Sequence, residues 1–175
     1  MSRFNISIVL TVALMLSLFA CTESNTKLQE MQSEVNKLNN QNDSLKKMVA
    51  AMKPGLGELM LGIQVHHNKL WFAGREENWP LAQFEYDEMM EIVHQAEIIE
   101  TDRPEVAQFK VMLYTPLDSI QKAIKLKDVD RFSESFHLLT NACNNCHKNT
   151  HFEFNRIQTP ERPPYSNQDF STDNN

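Results

Sequence analysis

Toward its C-terminal end the chain reads Cys143-Asn144-Asn145-Cys146-His147. Two thiols separated by two residues and followed at once by an imidazole form the spacing of covalent c-type haem attachment. The spacing has a physical reason: both thiols must reach the two vinyl groups on one edge of a porphyrin. The adjoining imidazole then swings beneath the ring to meet the iron. On this reading Cys143 and Cys146 carry one haem c through thioethers, and His147 is the proximal iron ligand. Two rival chemistries use the same residues. A thioredoxin-like dithiol needs its cysteines to open a helix, where the dipole lowers a thiol pKa, whereas these close one. Zinc could draw on Cys143, Cys146, His147 and His151, but Cys146 and His147 are adjacent, with no loop to turn both onto one tetrahedral ion.

A third cysteine, Cys21, needs its own explanation, and its surroundings supply one. Arg3 begins a positive segment and Ile6 to Phe19 is apolar, too short and too weakly flanked for a membrane span, which reads as an export signal. Leu18-Phe19-Ala20-Cys21 resembles the lipobox of bacterial lipoproteins, although Phe19 is bulkier than that pattern usually carries. The resemblance implies lipidation at Cys21 and places the protein in the bacterial cell envelope, facing the periplasm and lipid-anchored to a membrane. A plain secretory signal is the alternative. The chain carries 17 basic and 23 acidic side chains, a formal net charge of −6. No basic run is long enough to follow a phosphate backbone, so nucleic acid is not an expected partner.

The elements that must position these groups follow from periodicity. Leu28, Met31, Val35, Leu38, Leu45, Val49 and Met52 alternate three and four residues apart, with Asn42 in the remaining seam position. This heptad pattern predicts an N-terminal coiled-coil helix, and a single Asn at an a position favours a parallel homodimer through residues 28–52. A lone amphipathic helix is the alternative. Lys53-Pro54-Gly55 breaks it. Beyond lies an all-α domain, expected as an antiparallel four-helix bundle. Helices are predicted over about 56–73 with Gly74 as the stop, about 80–100 after Pro80, about 104–127 with Pro116 kinking or splitting it, and from Asp128 or Asp130 to His147. The division is therefore a signal peptide (1–20), a lipid-anchored coiled-coil stalk (21–53), a haem-binding bundle (54–150) and an extended tail (151–175) laid over the domain by Tyr165 and Phe170.

What lies opposite His147 decides the chemistry of the iron. Met60 and His67 stand two turns apart on the apolar face of the first bundle helix, and either could supply the distal ligand. Met60 matches the axial level of His147, and His67 is the rarer residue on such a face. Met is more often core filler and a lone His more often a satisfied core residue, so an open distal site is the third outcome. His66, His94 and His137 carry no assigned role.

The order of elements, helices closed by a haem motif, resembles the cytochrome c prime four-helix bundle from Gly55 onward. Gly57-Glu58-Leu59-Met60, His67-Asn68-Lys69-Leu70-Trp71-Phe72-Ala73-Gly74, Asn78-Trp79-Pro80-Leu81-Ala82 and Ser166-Asn167-Gln168-Asp169-Phe170 are similar to a family of small bacterial haem proteins. The resemblance implies haem ligation by Cys143, Cys146 and His147 only; the coiled-coil arm and the longer tail depart from it. The expected function is single-electron transfer with redox partner proteins at the periplasmic membrane surface. The alternative is a nitric oxide or carbon monoxide binding module with an open distal site. Peroxide chemistry needs a distal base and a polarising arginine, and Arg75 is the arginine near the first bundle helix. A haem that only staples a structural lipoprotein is the remaining possibility.

Overall fold

The computed structural model describes residues 2–172, with side chains described from Asn25 onward. The side chains of the export segment and of Cys21 lie outside the described residues. The chain divides into two compact units, 1–53 and 54–175. The first is a single helix, α1 (Ser2–Met52), and no helix among the described residues is long and apolar enough to cross a membrane. Its apolar stripe is exposed throughout, from Val35 at 48% to Met52 at 82%.

The second unit is all-helical: α2 (Leu56–Arg75), α3 (Trp79–Ile99), α4 (Pro104–Ala107), α5 (Phe109–Met112), α6 (Tyr114–Leu126) and α7 (Val129–Asn149). The helix starts follow local chemistry. The Asn78 side chain accepts from the Leu81 amide while Pro80 occupies the first turn of α3, where its missing N–H has no partner to lose. Asp128 likewise accepts from the Arg131 amide to open α7. At the junction before it, Lys127 ends α6 with φ of 55°, a left-handed cap made by a non-glycine residue.

Helices α2, α3, α6 and α7 pack as a closed ring, α2 on α3, α3 on α6, α6 on α7 and α7 on α2, in a bundle-like arrangement. Phe132, Phe136, Leu70, Met89, Ile120, Leu139 and Val93 are fully buried at its centre.

Three expectations need correction. The predicted helix over 104–127 is three pieces, divided at Gln108 and Leu113. The break at Leu113 is the one Pro116 dictates: in the first turn of α6 it has no N–H for the Met112 carbonyl and its ring crowds that carbonyl, whereas the break at Gln108 lies beyond its reach. Gly74 does not stop α2, which runs on to Arg75. Instead the Phe132 ring occupies the space a Cβ at position 74 would enter, so glycine there allows the close approach of α2 and α7. In the tail, Phe170 is buried against Phe72 at 5.7 Å between ring centroids, whereas Tyr165 is 48% exposed.

Candidate cofactor site

The end of the bundle that holds the last turns of α7 is hollow. A cavity of about 480 Å³ opens between the start of α2, the α3–α4 connection and α5, and the segment after α7. Its walls are largely apolar, with Leu56, Met60, Ile63, Phe109, Leu113 and Phe152 among them. Cys143, Cys146, His147, Met60 and His67 all line it. Five residues selected on sequence from two distant segments therefore meet at one void, of a size suited to a small organic cofactor.

Helical periodicity explains the grouping on α7. Cys146 and His147 follow Cys143 by three and four residues, so each neighbours it on one side of the helix. Both cysteines are free thiols. Burial pushes the Cys143 thiol up to about 12, and raises that of Cys146, with the Glu105 carboxylate adding to the effect. Both groups are thus protonated at neutral pH, contrary to what a dithiol redox catalyst needs. Among the described residues, no three His, Cys, Asp or Glu side chains converge as a group that could hold a bare metal ion.

The imidazole of His147 is oriented by the chain that follows it. Its Nδ1 lies 2.5 Å from the carbonyl oxygen of Asn155. A carbonyl can only accept, so Nδ1 carries a proton and, of the two neutral tautomers, this contact selects the one with its lone pair on Nε2. Fixing a ligand imidazole by a backbone carbonyl is the usual outer-shell arrangement of metal-bound histidines. Asn155 is placed by a tight return of the chain: the Phe152 amide donates to His147 O at 2.7 Å and the Asn155 amide to Phe152 O at 2.9 Å. Asn144, between the two cysteines, then clamps the tail. Its amide nitrogen donates to Ile157 O and its oxygen accepts from Ile157 N, both at 2.8 Å.

Met60 and His67 differ in what holds them. His67 is buried, its ring 4.3 Å from that of Phe136, and its Nε2 is 2.9 Å from Thr140 Oγ1. The Thr140 hydroxyl spends its single proton on Phe136 O at 2.9 Å, so His67 Nε2–H donates to Thr140. Desolvation lowers the His67 pKa to about 4, which keeps the ring neutral. The His67–Thr140 and Trp71–Phe136 contacts set the antiparallel register of α2 on α7. Met60 lies two turns before His67 on α2 and His147 two turns after Thr140 on α7, and both line the cavity.

Two arginine and histidine assignments change. Arg75 lies at the other end of the bundle, its guanidinium over the Trp71 ring at 5.7 Å and bonded to Ser133 at 3.1 Å. The arginine that lines the cavity is Arg103, beside Glu105, whose Oε2 is buried without a hydrogen-bond partner. His66, given no role on sequence, contacts the fully buried Glu85 at 2.7 Å, and Lys69 joins the same carboxylate at 3.0 Å. Sequence offered a signal for the Glu85 cluster, a charged residue within an apolar stripe. None pointed to Asn155, which acts through its backbone, or to Asn144. The chain matches no protein-family model, no curated protein and no solved structure.

Proposed function

We propose that the protein is a c-type haem protein whose single cofactor is attached through Cys143 and Cys146 and ligated by His147, and that it carries single electrons. The observation that supports this most directly is the His147 Nδ1–H bond to the Asn155 carbonyl, beside the cavity that both thiols line. It leaves one nitrogen lone pair for iron. The donor set fits in kind as well, because two neutral thiols and an imidazole spread around an apolar void suit a planar group that reaches all three. Haem bound there supplies reversible one-electron chemistry.

The remaining work belongs to the protein. Leu56, Ile63, Phe109 and Leu113 line the void and would present apolar surface to the bound group, which would favour the less charged state of its iron. Met60, which lines the same cavity as His147, would supply the iron's second protein ligand. His67 braces α2 against α7 through Thr140. Haem-loaded, lipid-anchored protein at the periplasmic face of a membrane, in a bundle of the cytochrome c prime type, completes this reading.

Absorption spectra of the full chain, matured with an intact haem-attachment apparatus, test it. The expected result is a six-coordinate, low-spin haem in both oxidation states that ignores carbon monoxide. Met60→Ala should then admit carbon monoxide, while His67→Ala should leave the ligation bands in place. Colourless protein at the mass of the bare polypeptide would refute the haem reading itself. The apolar lining around Met60 favours one second reading: an unmodified chain that takes up carbon monoxide readily would be a gas-binding module with an open distal position.

A further inference from the structure

We infer that residues 28–52 are the docking surface for a second copy of this chain, joined as a parallel, in-register two-stranded coiled coil aligned by Asn42. The inference is independent of the cofactor. Helix α1 runs unbroken to Met52, yet every apolar side chain of its seam is exposed, with Leu28 at 62%, Leu38 at 54% and Val49 at 69%. Each long helix of the bundle unit buries several large apolar side chains, with others such as Phe84 and Leu138 exposed; along α1 the whole stripe is uncovered.

The spacing of the stripe specifies the kind of partner. Its repeat is seven residues over four heptads, with Leu28, Val35, Asn42 and Val49 at a and Met31, Leu38, Leu45 and Met52 at d. A seven-residue repeat stays on one face only if the helix supercoils around another with the same repeat. Asn42 selects which helix that is and how it runs. In a parallel, in-register pair Asn42 meets Asn42 of the other copy, and each amide can donate to and accept from its twin. In the antiparallel pair Asn42 faces Leu38, which leaves its amide in the seam without a hydrogen-bonding partner. The flanking positions agree with the parallel choice. Lys27 comes beside Gln32 of the other copy, Glu34 beside Asn39 and Gln41 beside Lys46, so no like charges face each other. The Glu34–Lys37 and Asp43–Lys46 contacts, at 3.6 and 4.0 Å, keep these charges along each helix and off the seam.

Oxidative cross-linking of the haem-loaded full chain tests both the partner and its direction. Val35→Cys should give a covalent dimer on a non-reducing gel, because like a positions come within disulfide range only in the parallel pair. In the antiparallel pair position 35 meets position 45. A mixture of separately made Val35→Cys and Leu45→Cys chains should therefore yield no mixed dimer. Absence of Val35→Cys dimer above the wild-type background, or a mixed 35–45 product, would overturn the inference. Light scattering provides a second measurement on the chain without new cysteines. It should give twice the chain mass, and Leu38→Lys should return the single-chain mass with an unchanged haem spectrum. A wild-type mass of one chain would also overturn it.

Discussion

The two ends of the bundle are made from the same helices and are filled in opposite ways. At one end Trp71, Trp79, Phe132 and Phe136 stack within 4.8–6.4 Å of one another, and Phe132 presses into the gap left by Gly74. Towards the other end α2 and α7 keep their register but leave a void of about 480 Å³, lined by apolar side chains, two thiols and His147. Protein interiors are ordinarily packed as densely as organic crystals, so a void of this size with no side chains to fill it marks a place for something else. Close packing is concentrated where rings interlock, and open space where packing is withheld.

Substitutions at the two ends should separate these roles. Phe132→Ala removes a fully buried ring that contacts Trp71, Trp79 and Phe136, and should lower the unfolding free energy by about 4 kcal/mol in denaturant titration. A loss below ~1 kcal/mol would mean that the aromatic end is not the stable one. Midway, Glu85→Ala strands Lys69 and His66 without their carboxylate. Breaking a buried ion pair of this kind should cost about 3 kcal/mol, with the cavity residues unaffected.

Acid should act at the boundary between the ends. His67 ionises in the unfolded chain near 6.5 and in the folded chain near 4. Between those values the unfolded state binds the extra proton, so stability falls as pH is lowered through that window and is complete above 6.5. The loss should be on the order of 3 kcal/mol, and His67→Gln should remove that pH dependence from the unfolding curves. The smallest test makes one change at each end. Gly74→Ala meets the Phe132 ring and should destabilise by about 2 kcal/mol. Gly57→Ala meets nothing within 4 Å, and should change thermal unfolding by no more than about 0.5 kcal/mol. Equal effects would erase the distinction between the two ends.

Much of this was legible in the chain itself. Three-to-four-residue spacing of apolar side chains marked all the long helices, and Pro54, Pro80 and Asp128 marked their starts, because caps and breaks are local chemistry. Where the expectation failed, the deciding contact was distant in sequence. Gly74 reads as a helix stop until Phe132 is seen against it, and His66 reads as a surface residue until Glu85 arrives from α3. Arg103 could not be distinguished from Arg75 by position, because the α3–α4 connection, not α2, brings a guanidinium to the cavity.

Residue identity and spacing alone determined the helical class, the division near Pro54, the heptad seam and the trio Cys143, Cys146 and His147. Each of these rests on interactions or periodicities within a few residues. Only the tertiary structure decided that Met60 and His67 share a void with that trio, and that Thr140 takes one nitrogen of His67. It alone showed the Asn155 carbonyl orienting His147. These are pairings between segments whose separation along the chain carries no information about their distance in space, so only the packed helices could reveal them.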